Sequence, residues 1–295
     1  MSGAELHMRW PERSSAEDDQ APSLVVVGSC NMDLTARTRR LPRPGETLIA
    51  RDLVQRSGGK GSNQAVAAAR QGLSVALISA VGDDVFGEQI LEGLIAERVD
   101  VSGVRTVPGS SGIALIVVDE QGEDTIVVSP GAGEHVSLEG CDLVTADAVL
   151  AQLEIPVEVV AQAARRARGM FCLNASPFVA LPPALVERCD LIIVNETEYQ
   201  LGRDQLDGAG LVCVTLGAAG ARLMENGREL AVSASPEVQV IDTVGAGDAF
   251  VGAFIAETLR TGDPAAALAP ACRAGALATT QVGAQASLPY REELR

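Results

Sequence analysis

The stretch AVLAQLEIPVEVVAQAARRARGMFCL, residues 148–173, sets two apolar runs of strand length on either side of a helix-length segment. Residues 148–153 and 170–173 are almost continuously apolar, as in strands of a parallel sheet covered on both faces. Between them, residues 156–168 read as a helix. The same rhythm continues in both directions. Residues 24–28, 75–80, 191–194 and 211–216 read as further buried strands, and 63–71, 86–98 and 183–187 as helices. Two longer Ala-rich helical segments, 246–260 and 264–280, follow Gly245. The alternation predicts an α/β fold, a doubly wound and mostly parallel sheet flanked by helices, with a ligand at the carboxyl ends of the strands.

Two stretches break the rhythm. Residues from 33 to about 57 contain Pro42, Pro44 and Gly45 between strand-like pieces. Residues 112–129 read as a hairpin, turning at Glu120-Gln121-Gly122-Glu123. As insertions into one domain spanning 23–295, they predict a small β-sheet that projects over the site as a lid. A surface edge without that role is the plainer alternative.

With 295 residues, 47% of them hydrophobic, the chain can bury one large core. A formal charge of −16 argues against binding nucleic acid, whose backbone calls for a basic surface. An anionic ligand would need local compensation from helix N-termini, lysine or a metal ion. No run approaches the ~18 apolar residues of a membrane helix. Residues 1–22 are polar and of mixed charge, and are expected to be a disordered extension. Cys30, Cys141, Cys172, Cys189, Cys213 and Cys272 lack metal-ligand spacing and read as reduced thiols of a cytoplasmic protein. With only His7 and His135, chemistry built on histidine has little to work with.

Two glycine-rich segments lead into helices. In Gly58-Gly59-Lys60-Gly61-Ser62-Asn63 the glycines let the backbone approach a ligand, and the helix start offers unpaired N–H groups. Lys60 and Asn63 add donors. The spacing is not that of a P-loop. In Asp242-Thr243-Val244-Gly245-Ala246-Gly247-Asp248, the N–H groups of Gly245, Ala246 and Gly247 are expected to converge at the positive end of a helix dipole. That makes a cradle for negative charge. Asp248 in the first turn can reach a nearby hydroxyl, or can simply stabilise its own helix.

Six segments remove much of that ambiguity when taken in order: Gly28 to Asp33, Gly58 to Asn63, Asn195 to Glu198, Thr215 to Gly217, Asp242 to Phe250 and Gly283 to Ser287. Their order and spacing resemble the ribokinase-like (PfkB) family of carbohydrate kinases over residues 24–289. The resemblance implies ATP-dependent phosphorylation of a sugar, D-ribose at O5, by a homodimer whose lids pair, with ATP, Mg²⁺ and K⁺ bound. It makes Asp248 the base that takes the hydroxyl proton, and Gly245, Ala246 and Gly247 the anion hole. Asn31, Asp33, Gly59, Lys60, Gly61, Ser62, Asn63 and Glu154 would hold the sugar. Asn195, Thr215, Leu216, Gly217, Gly220 and Gly247 would lie along the nucleotide, with Glu198 near Mg²⁺ through water. Asp242, Val244, Ala278, Gln281, Gly283 and Ser287 would form the K⁺ site, mostly through backbone carbonyls.

Two departures stand out. The family usually has a longer connection between Asn195 and Thr215; here it is only just long enough for a parallel crossover, so its helix must be short. Asn174-Ala175-Ser176-Pro177 also differs from the family in its second and third positions. Another sugar or a nucleoside is the alternative substrate (deoxyribose, fructose or an adenosine-like compound), and a sugar-binding protein without catalysis is the alternative class.

Overall fold

The computed structural model describes residues 21–295, so the extension expected over 1–22 lies outside the described residues except for its last two. The first half runs β1 (Ser23–Val27), β2 (Asn31–Arg37), β3 (Asp52–Gly58), α1 (Lys60–Arg70), β4 (Ser74–Gly82), α2 (Val85–Ala96) and β5 (Asp100–Val107). Then come β6 (Gly112–Val118), β7 (Asp124–Ser129), β8 (Ala148–Gln152), α3 (Val157–Arg166), β9 (Met170–Asn174), α4 (Pro183–Arg188) and β10 (Leu191–Asn195). The chain ends with α5 (Glu196–Leu201), α6 (Arg203–Leu206), β11 (Leu211–Thr215), β12 (Ala221–Glu225), β13 (Arg228–Ser233), α7 (Ala246–Thr261) and α8 (Pro264–Ala278).

Nine strands form the main sheet in the order β13-β12-β11-β10-β9-β8-β1-β4-β5. All neighbours pair parallel from β11 across to β5, while β12 and β13 add an antiparallel edge. The first strand lies inside, between β8 and β4, so the sheet grows outward from β1 on both sides. A crevice opens beside such a switch point, at the carboxyl ends of the strands.

Strand side chains alternate between two cores. Leu191 and Ile193 enter one core with α1, α7 and α8, whereas Ile192 and Val194 enter the other with α3 and the α5–α6 segment. Burial on both faces is why these strands read as unbroken apolar runs. The shortened connection is met by two short helices, α5 and α6, and β10 and β11 still pair parallel. Tyr199, Leu206 and Ala209 are buried there and close that face. Three strands have no counterpart in the sequence reading. β5 mixes polar residues and a glycine into a half-exposed edge, and the β12–β13 hairpin ends in an exposed strand, so neither carries a continuous apolar signal.

A second, four-stranded sheet has the order β3-β2-β6-β7. Its outer pairs are antiparallel, but β2 and β6 pair parallel. It stands over the carboxyl end of β1 and presents alternate residues of β2, Asn31, Asp33 and Thr35, to a cavity beneath it.

Candidate active site

The loop after β3 forms the floor of this cavity. Gly59 caps α1 and its α-carbon lies against the backbone of Asn31. At the start of α1, the Lys60 N–H donates to Glu154 Oε2 at 2.9 Å, and the Ser29 hydroxyl donates to the same oxygen. A carboxylate is favoured there by the positive end of the helix dipole. Glu154 thereby ties the ends of β1 and β8 to the glycine-rich loop, and it faces the cavity together with Gly59, Lys60 and Asn63. Two expected sugar contacts lie elsewhere. Gly61 packs on the backbone of Gly28 and Ser29. The Ser62 hydroxyl donates to the Gly58 carbonyl and accepts from Gln285 Nε2, so it is used up inside the protein.

On the small sheet, the Asp33 carboxylate lies over the α-carbon of Gly58. Burial, with repulsion from Glu154 and Asp248 added, pushes its pKa up to about 7. Burial works against the charge of Lys60, but Asp248, Glu154 and Glu198 outweigh it and raise the pKa of this ammonium.

Asp248 sits in the first turn of α7, only 8% exposed. Its two carboxylate oxygens accept from Asn63 Nδ2 and Gln64 Nε2, each at 2.9 Å. Burial raises its pKa, while Lys60 and the two amides pull it back down. Having given its amide to Asp248, Asn63 is left with a buried Oδ1 that has no hydrogen-bond donor among the described residues. A ligand hydroxyl is the kind of donor it lacks.

Three cavities lie in a row along the carboxyl ends of the strands. The first, about 550 Å³, is the one under the small sheet. It meets a second of about 230 Å³ at Lys60, Thr243, Gly245 and Asp248. Asn195 and Glu198 line this middle cavity, at the ends of β10 and its helix. They also satisfy each other: the Glu198 N–H donates to Asn195 Oδ1, and the Asn195 N–H to Glu198 Oε2, each at 2.8 Å. Thr215, Thr243 and Gly247 lead on to the third cavity, about 550 Å³, which is bordered by Gly217, Gly220, Val238 and Phe250. Leu216 does not line it and packs instead against the core. The arrangement suits a polar molecule at one end, a flat apolar one at the other, and negative charge between them.

At the middle of this row, Gly245 caps α7 with φ 82°. Among the described residues the N–H groups of Gly245 and Gly247 have no protein acceptor, whereas the Ala246 N–H donates to the Thr243 carbonyl at 3.3 Å. Of the three N–H groups expected to converge, those of Gly245 and Gly247 are thus unpaired among the described residues and that of Ala246 is engaged within the turn.

The profile of the pfkB family carbohydrate kinases matches residues 21–291. The chain belongs to this family. It is 34% identical to the ribokinase of Haemophilus influenzae over 92% of this chain and 96% of that one. It is 33% identical to the deoxyribokinase of Salmonella typhi over the same shares. It superimposes on the Arabidopsis thaliana ribokinase structure complexed with ribose and ATP with a TM-score of 0.82, at 28% identity, covering 93% of this chain and 98% of that one. As a pfkB family carbohydrate kinase the protein is an ATP-dependent sugar phosphotransferase.

For this kinase the expected K⁺ residues cluster only in part. The Asp242 carboxylate accepts from the N–H groups of Val244 (3.0 Å) and Gly283 (2.8 Å), and the Thr279 carbonyl accepts from those of Ile241 and Asp242. The carbonyls of Val244, Ala278, Gln281 and Gly283 accept no hydrogen bond among the described residues, as a hard cation would require. The Ser287 hydroxyl instead donates to the Ala284 carbonyl, and Ser287 and Gln281 border a separate groove beside Arg70. Sequence reasoning missed Gln64, Gln152 and Ser29. All three are polar and buried, and Gln152 ends an otherwise apolar strand run, a pattern that by itself demands hydrogen-bond partners.

Proposed function

We propose that the protein transfers the γ-phosphoryl group of ATP to O5 of D-ribose, giving D-ribose 5-phosphate. The observation that carries this is Asp248 at the junction of the lid cavity and the middle cavity, beside the free N–H groups of Gly245 and Gly247. A hydroxyl held in the first cavity would meet the γ-phosphoryl group at that junction.

In this reading Asn31, Asp33, Gly59, Lys60, Asn63 and Glu154 hold the sugar, with Asp33 accepting from two hydroxyls. Asn63 Oδ1 takes the hydroxyl donor it otherwise lacks. Lys60 offsets the carboxylates around the sugar and attracts the transferred group. Asp248 orients the attacking hydroxyl and takes its proton late, as the oxygen bonds to phosphorus. The leaving ADP oxygen lies toward Gly247 and the third cavity. Gly245 and Gly247 stabilise charge on the transferred group. Asn195, Thr215, Gly217 and Gly220 lie along ATP. Mg²⁺ would be held through water near Glu198 and would neutralise charge on the phosphates. K⁺ would be held by carbonyls of Val244, Ala278, Gln281 and Gly283 beside Asp242, ordering the loop before Gly245.

The small sheet acts as a lid over the sugar, inserted into one kinase domain over 23–295. Leu53, Leu115 and Val127 are exposed on the side facing away from the cavity, supporting a homodimer in which two lids cover each other. The free thiols fit a cytoplasmic enzyme.

Similarity to a deoxyribokinase makes 2-deoxyribose the second candidate. ADP release measured over a panel of D-ribose, 2-deoxyribose, fructose and adenosine, with Mg²⁺ and K⁺ present, separates them. D-ribose should lead 2-deoxyribose in kcat/KM by about 10²-fold or more, since a half-buried carboxylate would be left without its hydroxyl. Equal or better use of another substrate overturns the ribose assignment.

A further inference from the structure

Asp248 is held from outside its own helix. Its Oδ1 accepts from Gln64 Nε2 and its Oδ2 from Asn63 Nδ2, both on α1. The two helices can approach this closely because residue 252 is glycine: a Cβ there would stand 2.5 Å from the Ala67 Cβ. Ala67 lies one turn beyond Asn63 and Gln64, and Gly252 one turn beyond Asp248, so this contact sets their reach.

Gln64 is fully buried, and each end of its carboxamide is engaged. Its Nε2 also donates to Asn174 Oδ1 at 2.8 Å, and its Oε1 accepts from Gln152 Nε2 at 2.7 Å. Asn174 Nδ2 donates in turn to the Ile193 carbonyl. Gln152 ends β8 and Asn174 ends β9, so the chain of amides anchors the carboxylate to two neighbouring strands of the central sheet. An apolar side chain would fill the space at Gln64 without the cost of burying a polar group. What it could not do is fix a carboxylate. One hydrogen bond lets the carboxylate plane pivot; a second, on the other oxygen, stops it.

We propose that Gln64 is a positioning residue for phosphoryl transfer: backed by Gln152 and Asn174, it holds the Asp248 carboxylate in the single orientation that meets the sugar hydroxyl. This rests on Asp248 acting as the base. The ionisable groups facing Asp248 are Lys60 at the start of α1, Glu154 after β8 and Asp33 on the lid, with Glu198 on α5 acting on Lys60. Gln64 and Asn63 are among the groups that counter the effect of burial on the Asp248 carboxyl.

The test compares Gln64→Met, Asp248→Asn and the double variant, by kcat, sugar KM and the pH profile of kcat. For Q64M we expect kcat to fall about ten- to a hundredfold, the scale of losses from a misplaced catalytic group. Sugar KM should stay within about twofold, and the acid limb of kcat should move to higher pH. In the D248N background the same substitution should change the residual rate by less than about twofold, because Gln64 acts through Asp248. A normal kcat in Q64M, or an equal loss in both backgrounds, overturns the proposal while leaving Asp248 as the base. Near-normal turnover of D248N alone overturns the base assignment itself. If Q64M does not fold, Gln152→Met keeps the Gln64 donor but frees its other end; kcat should still fall with KM held, and an unchanged kcat is equally fatal.

Discussion

The α-carbon of Gly245 rests on the backbone of Ala284: a Cβ at residue 245 would stand 2.8 Å from the Ala284 Cα and 2.9 Å from its carbonyl oxygen. Gly245 also needs its left-handed φ of 82° to start α7 with its N–H free. The turn at 283–284 therefore presses on the group proposed to receive the phosphoryl charge.

Gly245→Ala should meet both obstacles at once. The left-handed backbone costs about 1–2 kcal/mol for a residue with a Cβ, before any clash. We expect kcat to fall about 10²-fold or more, the usual effect of losing one donor of an anion hole, with sugar affinity little changed. Turnover assays together with sugar titrations check this, and an unimpaired kcat would show that the loop is not under the constraint described.

Asp248→Asn keeps the size of the side chain and can keep one of its two amide contacts. Sugar binding should stay within a few-fold of the original, while kcat drops about 10²–10⁴-fold. Steady-state kinetics with the sugar varied at saturating ATP separates the two effects.

Sugar affinity should rise with pH through about 7. Asp33 has its pKa raised to about 7 by burial and by Glu154 and Asp248, and its ionised form is the one that accepts hydroxyl protons. Binding near pH 6 should release a proton, visible in calorimetry as heat that depends on the buffer. The sign for stability is opposite. The sugar-free folded protein holds a proton that the unfolded chain gives up, so this group costs stability as pH rises from about 4 through 7. Affinity that is flat between pH 6 and 8, or an Asp33→Asn variant with the same pH dependence, would remove Asp33 from this role.

Potassium should raise the rate when it replaces lithium or tetramethylammonium at constant ionic strength. Val244 precedes Gly245 and Gly283 belongs to the turn that buttresses it, and both carbonyls accept no hydrogen bond among the described residues, so a cation held there would order the proposed anion hole. A rise in melting temperature specific to K⁺ gives a second readout, and no response in either would argue against the site.

Much of the fold is local information. Buried parallel strands must be apolar on both faces, so the runs at 24–28, 148–153, 170–173, 191–194 and 211–216 stand out in the sequence, and each lies on a strand of the main sheet. Glycines before a helix are likewise forced by backbone geometry, which is why the segments containing Gly59 and Gly245 could be read as leading into α1 and α7, although α1 starts at Lys60, three residues before the expected 63. Half-exposed edges such as β5 and β13 leave no such mark.

Tertiary structure alone decided where polar groups spend their hydrogen bonds. Ser62 and Ala246 sit inside the expected motifs, yet one bonds the Gly58 carbonyl and Gln285, and the other the Thr243 carbonyl. Gln64 lies outside the expected set, yet it meets Asp248, Asn174 and Gln152 across 184, 110 and 88 positions of chain. Patterning and turn geometry depend on near neighbours and can be read in a line of residues. A hydrogen bond between distant side chains depends on how two helices and two strands finally pack, and here Gly252 against Ala67 sets that distance.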